Sequence, residues 1–449
     1  MTGHMDTPAV IDLDDRYVSP STRIPFVPVA VTRGEGAEFL DPEGKRYLDF
    51  HSMACITNTG HCHPRVTEAI ARQAAELIHC NTAYVYHEQL GLLAERISAV
   101  TPGDFAKRVA FGTTGSDAND GALKLVRAAT GRPKVLSFLG AYHGNTYGAL
   151  SLSGVSLEMR RGFGPVVPEI VHLPYPDEYR PPAGVAAGDV SRHCLEVIDR
   201  LLGTVAPPEE VAAVFVEPIQ GDSGIVVPPE PFIRGLEELR RRHGILIVAE
   251  EVQSGLGRSG AWFASEHFSL EPDVLVIGKA LGSGLPISAI VARSELMEAW
   301  RAPGHVFSVA AGPVCCAAAL ATLEVIADED LIGNARRVGE RLRSGLEELS
   351  GRFEAIGDVR GRGLMLGVDL VRSRDTRERD RELTAKVIVR CVELGLYLTF
   401  LAGSVLRLAP PLIIDEGHAD RALGILEHAL DDAVHGRVSD EQARAVTGW

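Results

Sequence analysis

The chain contains no CxxC pair. Its seven cysteines (Cys55, Cys62, Cys80, Cys194, Cys315, Cys316, Cys391) are odd in number and scattered. That pattern argues against a disulfide framework or a structural zinc site and for a reducing compartment. There is no uninterrupted apolar run of membrane-spanning length, so no membrane partner is expected. The opening MTGHMDTPAV has neither the apolar core nor the cleavage site of a secretory signal, which points to the cytoplasm. Gly3-His4-Met5 reads as a cloning scar. Positive charge is in short supply: 45 Lys and Arg against 60 Asp and Glu leave a net charge of −15. General nucleic-acid binding needs a basic surface and is not expected. No P-loop ending in GK[ST] appears, and no GxGxxG stands between a strand and a helix. No metal is expected either, since His61-Cys62-His63 runs straight into Pro64 and reads as a turn.

What is present suits a soluble α/β protein handling small molecules. The 449 residues, 45% of them hydrophobic and 23% charged, are enough for a large core domain and a smaller one. The first forty residues are Pro-rich and read as irregular, with IPFVPVAV extended. GEGAEFLDPEGKRYLDF (34–50) reads as a hairpin around the turn DPEG. From there to about residue 330, strands and helices alternate. VAF (109–111), KVLSFL (134–139), VAAVFV (211–216), ILIVA (245–249), VLVI (274–277) and ISAIVA (287–292) are continuous apolar runs. Such runs belong to strands covered on both faces, as in a mostly parallel sheet. Residues 117–130 form a helix with Ala122, Leu125 and Ala129 on one face. Beyond about 331 the pattern changes to that of a separate α+β domain. The expected organisation is an N-terminal segment and hairpin over 1–58 packing on the small domain, a large domain over 59–330 and the small domain over 331–449.

Four of these strands end on a chemically useful residue. VAAVFV runs into Glu217, ILIVA into Glu250, VLVIG into Lys279 and RVAF into the loop Gly112-Thr113-Thr114-Gly115-Ser116. Ligands of open α/β sheets bind outside the carboxyl ends of the strands. If these strands are parallel neighbours, two carboxylates, a lysine and a glycine-rich loop share one crevice. The loop leads into a helix and so suits a phosphate; it also fits an ordinary strand-to-helix turn capped by Ser116 or Asp117. Lys279 fits a snorkelling strand-end lysine or a desolvated Schiff-base amine. Taken together, a phosphate cradle, an acid for a pyridinium nitrogen and such a lysine are what pyridoxal 5'-phosphate requires.

Over nearly its whole length the sequence resembles the class III aminotransferases, pyridoxal-phosphate enzymes of fold type I. AEEVQSGLGRSG (249–260) followed by EPDVLVIGKALGSGLP (271–286) looks like the family signature. The resemblance implies a large domain with a mostly parallel central sheet plus a smaller α+β domain, and a homodimer or dimer of dimers. It puts the cofactor lysine on Lys279 and the phosphate loop on GTTGSDAND, with Gly115 and Ser116. It puts a ring-stacking aromatic on Tyr142 with His143 beside it, and a glutamine near the phenolic oxygen on Gln253. Glu217 is counted with this cofactor set, although an acid before Pro218 also reads as buried and structural. Ser308 of His305-Val-Phe-Ser308 occupies the place of a residue that reaches the phosphate in the partner subunit. Three departures stand out. The pyridine-nitrogen acid, usually aspartate, is Glu250; the usual threonine is Ser308; and the usual Gly-Asn-Pro is Ala311-Gly312-Pro313.

Two reactions are compatible with this resemblance. An aminotransferase needs one proton carrier, Lys279. A racemase or epimerase must also deliver a proton to Cα from the opposite face, which requires a second acid–base group. Asp222 in EPIQGDSGIVVPP (217–229) stands where enzymes resembling amino-lactam racemase and isoleucine 2-epimerase carry aspartate and many aminotransferases carry glutamate. PYPDEYRPP (174–182) and the C-terminal Gly448-Trp449 look like that subgroup too. The expectation is therefore a racemase or 2-epimerase of small-molecule amino acids, with aminotransferase as the alternative. Arg407 in VLRLAPPL would grip an α-carboxylate in a bidentate pair, favouring free amino acids over lactams, or would pair permanently with an acid such as Asp222. Ser52, Met53 and Asn58 are substrate-contact candidates by position and suggest an aliphatic side chain.

Overall fold

The computed structural model describes residues 5–448. Gly3 and His4 of the expected scar, and Trp449, lie outside them. The chain forms two compact units: one takes the chain up to His63 and from Gly333 onward, the other is Pro64–Ile332.

The unit Pro64–Ile332 is built on a seven-stranded sheet. Its strands are β1 (Lys107–Gly112), β2 (Lys134–Phe138), β3 (Ile170–Leu173), β4 (Val211–Val216), β5 (Leu246–Glu250), β6 (Val274–Ile277) and β7 (Ser288–Arg293). The order across the sheet is β1-β7-β6-β5-β4-β2-β3. The pairings among β3, β2, β4, β5 and β6 are all parallel. β7 runs antiparallel to both β6 and β1, so β1 points the same way as the parallel set. The ten residues Gly278–Ile287 between β6 and β7 are too few for the helical crossover that a parallel return needs. All six residues of β4 and all four of β6 are buried, which explains their unbroken apolar character. Ala118, Ala122 and Leu125 of helix Gly115–Thr130 pack with Phe215, Val248, Val276 and Ile290 in one core cluster. β3 was not legible as a strand, because its four residues include His172 and three of the four are only partly buried.

In the other unit, Arg33–Glu35, Glu38–Leu40 and Arg46–Asp49 pair antiparallel, and Leu396–Tyr397 joins the last of them in parallel. The hairpin turn is fixed by Asp41, which accepts from Lys45 N (2.8 Å) through its carboxylate and from Gly44 N (3.1 Å) through its carbonyl. A second, antiparallel sheet holds Ile356–Arg362, Met365–Leu370, Val405–Leu408 and Thr399–Leu401. The N-terminal stretch is not wholly irregular: Thr7–Tyr17 is a helix. Asp6 caps it by accepting from Ala9 N, and Pro8 sits in its first turn, where a missing N–H costs nothing. None of its residues is buried, so it left no apolar periodicity to read. Among the described residues no helix is long and apolar enough to cross a membrane.

Candidate active site

The carboxyl ends of β4, β5 and β6 deliver Glu217, Glu250 and Lys279 in adjacent positions. Together with the start of helix Gly115–Thr130 they border a cavity of about 170 Å³. Its wall includes Gly115, Ser116, Tyr142, His143, Glu217, Glu250, Gln253 and Lys279. A larger groove of about 730 Å³, among helices Pro64–Glu76, Glu88–Val100 and Pro313–Asp328, contains none of the expected site residues.

Thr114, not Ser116 or Asp117, is the N-cap of the helix, accepting from Asp117 N at 3.2 Å. Asp117 turns back instead: its carboxylate accepts from Thr113 N, Thr114 N and Ser288 Oγ. The first-turn amides of Gly115 and Ser116 have no helical acceptor, and both residues line the cavity. The Ser116 hydroxyl accepts from Asn145 N and Thr146 N, both at 2.9 Å. Space here admits no side chain at two positions. A Cβ on Gly115 would come within 2.8 Å of Val252, and one on Gly144 (φ +127°) within 2.3 Å of Ser116 Oγ. The result is a small, amide-lined concavity at a helix N-terminus, which suits a phosphate.

Lys279 has φ +43°, a left-handed conformation that costs a lysine roughly 1–2 kcal/mol. The turn is held by Leu281 N donating to Gly278 O at 3.0 Å. Strained positions of this kind concentrate at functional sites.

Glu250 is buried and has both oxygens engaged. Oε1 accepts from Val252 N at 2.7 Å, and Oε2 lies 3.2 Å from His143 Nδ1. The extra methylene relative to aspartate lets the side chain bend back to its own turn. His143 is fixed by its N–H to Ser153 Oγ (2.9 Å) and by its edge against the Phe215 ring. Glu217 accepts from Gly221 N through Oε1 at 3.3 Å. Burial first, then the charges of Glu250 and Asp222, pushes its carboxyl well above the usual carboxylate range. The Tyr142 phenol is pushed up to about 12, by burial first and then by Asp222 and Glu250.

Four buried polar atoms on this wall have no hydrogen-bond partner among the described residues: Asn119 Oδ1, His143 Nε2, Glu217 Oε2 and Gln253 Oε1. Buried polar groups are almost always paired, so four orphans in one cavity indicate a polar guest. Amides for an anion, a buried carboxylate for a ring nitrogen and a lysine for an aldehyde match the groups of pyridoxal 5'-phosphate. The residues present fit this cofactor.

Asp222 is buried in the turn that follows β4, which closes through the bridge between Gln220 and Val226. It is not on the cavity wall, but its charge reaches Tyr142 and Glu217. Ser308 is exposed and lies away from that wall. Arg407, Ser52, Met53 and Asn58 belong to the other unit. Arg407 Nε and Nη2 donate to Thr399 Oγ1 at 3.3 and 3.2 Å, and Nη2 is 2.9 Å from His51 Nε2. Ser52 and Met53 stand in a turn with positive φ, while buried Asn58 accepts from Leu412 N at 2.7 Å. His61 Nε2 is 2.8 Å from Asp49 Oδ2, which ties His61 to the end of strand Arg46–Asp49. Sequence reasoning missed Asn119, Gly144 and Val252 on the cavity wall. Asn119 had a signal, being three residues beyond Ser116 on the same helix face. His51 and Thr399 beside Arg407 had none.

The family model for class III aminotransferases matches residues 19–430. The chain is 42% identical over 440 residues to the leucine/methionine racemase of Thermococcus litoralis, covering 98% of this chain and 99% of that one. It is 40% identical to the isoleucine 2-epimerase of Lentilactobacillus buchneri, with 98% of each chain covered. An amine transaminase from an uncultivated Pseudomonas species, solved in its PLP-bound form, superposes with a TM-score of 0.85 at 30% identity, covering 93% of this chain and 97% of that one. With its strand-end lysine, its amide-lined loop and this match, the chain belongs to the class III aminotransferase family, and its cofactor is pyridoxal 5'-phosphate.

Proposed function

We propose that the protein is a racemase or 2-epimerase of free aliphatic amino acids, with Lys279 and Asp222 as its two acid–base groups. The observation that carries this reading is Asp222, a carboxylate buried in the turn after β4, whose charge is felt at Tyr142 and Glu217, two residues of the wall that also holds Lys279. The relatives similar over nearly the full length, a leucine/methionine racemase and an isoleucine 2-epimerase, support it. The transaminase among the solved structures keeps aminotransfer, with Lys279 as sole proton carrier, as the second reading.

Pyridoxal phosphate, when bound, withdraws electrons from the substrate's Cα and makes its C–H acidic. The chain's residues divide the remaining work. Gly115 and Ser116 amides hold the phosphate, joined by Ser308 from a second copy. Glu250, anchored by its Val252 N–H contact, would hold the ring-nitrogen proton. Tyr142 would cover the ring, and Gln253 would serve its phenolic oxygen. Glu217 would offer its Oε2, which has no hydrogen-bond partner among the described residues. Lys279 takes the Cα proton on one face, and Asp222 returns a proton on the other. Arg407 takes the substrate carboxylate, with Ser52, Met53 and Asn58 near the side chain. The homodimer is supported by exposed Ser308, flanked in sequence by exposed Val306 and Val309, and by exposed Ile78, Tyr84 and Tyr86, large side chains of the kind that subunits cover.

The test is to incubate the holoenzyme with single enantiomers of leucine, isoleucine, valine and lysine without any keto acid. Appearance of the opposite Cα configuration is expected for the aliphatic amino acids. Retained configuration there, together with fast amine transfer once a 2-keto acid is added, would establish the second reading instead.

A further inference from the structure

Lys279 follows closely on β6, whereas Asp222 stands in an irregular turn. Ile225 of that turn has φ +56°, a left-handed conformation that persists only where the surroundings hold it. They do so on two sides. Gln220, 2% exposed, pairs with Val226 through both backbone groups (3.0 and 2.9 Å). Its side chain reaches across to the segment after β2: Nε2 donates to Leu139 O at 3.0 Å, and Oε1 accepts from Ser223 Oγ at 2.7 Å. That segment is itself anchored, by Leu139 N donating to Leu173 O of β3 (2.8 Å) and Gly140 N to Gly154 O (3.0 Å). Gly140 (φ +83°) has no room for a side chain, since a Cβ there would stand 2.9 Å from both Gln220 Oε1 and Ser223 Cβ. On the other side, a Cβ on Gly221 would overlap the Gln253 amide, so the residue before Asp222 packs directly against the cavity wall. Both neighbours of Asp222 in the chain are therefore pinned, and its Cα with them.

We propose that Gln220 is the positioning residue of the second acid–base group: its amide ties the turn that carries Asp222 to the segment that carries Tyr142. Racemisation needs proton carriers on opposite faces of one Cα, and a carrier misplaced by about 1 Å loses on the order of 10² in rate. Lys279 takes its place from a buried strand. A turn has no such support and must be tied to another element. An amide suits this tie, because one end has to donate to a carbonyl and the other to accept from a hydroxyl. A carboxylate would set an oxygen against Leu139 O, and an apolar side chain would make neither bond. Gly140 belongs to the same device, since any side chain there would push Gln220 and Ser223 away. Gln220 lies off the cavity wall and acts through Asp222. This rests on the assignment of Asp222 as the second acid–base group.

The test follows leucine in deuterated buffer without a keto acid, with the holoenzymes of wild type, Gln220→Met and Asp222→Asn. Two rates are read for the enantiomer whose Cα–H faces Lys279: deuterium uptake with retained configuration, and inversion. Gln220→Met keeps the length of the side chain and neither of its hydrogen bonds. It is expected to slow inversion about 10- to 100-fold and to leave uptake within about twofold. A general loosening of the site would lower both rates together, so parallel loss, or no loss, overturns the proposal. Asp222→Asn separates the two levels. If it keeps inversion, or loses uptake as well, the two-base reading falls and this inference with it. If it loses inversion alone while Gln220→Met keeps it, only the inference falls. Should Gln220→Met fail to fold or to retain the cofactor, Ser223→Ala decides, since it removes only the donor to Gln220 Oε1. A ratio of inversion to uptake lowered about fivefold supports the proposal, and an unchanged ratio overturns it.

Discussion

Glu251 follows the cavity acid Glu250 and is 1% exposed. Its Oε1 accepts from Ser265 N and Ser265 Oγ (2.8 and 2.6 Å), and its Oε2 from Ala264 N and Ser254 Oγ (2.6 and 2.9 Å). Burial nevertheless outweighs these four donors and pushes the carboxyl from 4.5 up to about 7. The folded chain thus holds this proton more tightly than the unfolded chain does. The resulting stabilisation is whole below about pH 4.5 and is lost as pH rises through about 7. The step from 4.5 to about 7, at ~1.4 kcal/mol per pH unit, comes to about 3 kcal/mol. Glu251→Gln removes that pH dependence but turns an NH2 group toward a backbone N–H, leaving it unsatisfied at a cost of about 1–3 kcal/mol. At pH 5 the variant is therefore the less stable protein. By pH 8 the wild type has lost its ~3 kcal/mol, and the two draw level or cross. Apparent unfolding midpoints of cofactor-free protein, at one fixed protein concentration across pH 5–8, measure this. A gap between variant and wild type that stays constant with pH would refute the reasoning.

Two further substitutions probe the cofactor cradle. Gly144→Ala puts a Cβ 2.3 Å from Ser116 Oγ at φ +127°, so it should destabilise the chain by about 1–3 kcal/mol and weaken pyridoxal phosphate retention on dialysis; unchanged retention would show that this loop does not shape the phosphate seat. Glu250→Gln keeps an acceptor for Val252 N but removes the negative charge beside His143, and the turnover rate should fall by roughly 10²–10³ while the cofactor stays bound. Near-wild-type turnover would mean that Glu250 does not hold the ring proton.

Much of this architecture was open to sequence reasoning, for a physical reason. A parallel sheet buried on both faces writes continuous apolar runs, and functional groups stand where the runs stop, so Glu217, Glu250 and Lys279 could be placed together before any coordinates. The loop beginning at Gly112 could be placed too, because small residues between a strand and a helix leave few alternatives. What stayed hidden involves contacts without a local pattern. Arg407 meets His51 across 356 positions of sequence. The left-handed turn Ser52–Cys55 contains no glycine to announce it. The helix Thr7–Tyr17 carried its signal in Asp6 and Pro8 but buried nothing. The bend of Glu250 back to Val252 N likewise follows from side-chain length within a finished turn.

The most direct measurement follows Cα–H exchange and configuration together, for one leucine enantiomer in deuterated buffer without a keto acid, in wild type and in Asp222→Asn. The wild type should incorporate deuterium and generate the opposite enantiomer. Asp222→Asn should still exchange the Cα proton on the Lys279 face while losing inversion. Inversion that survives in Asp222→Asn, or a wild type that exchanges without ever inverting, would contradict the two-base account.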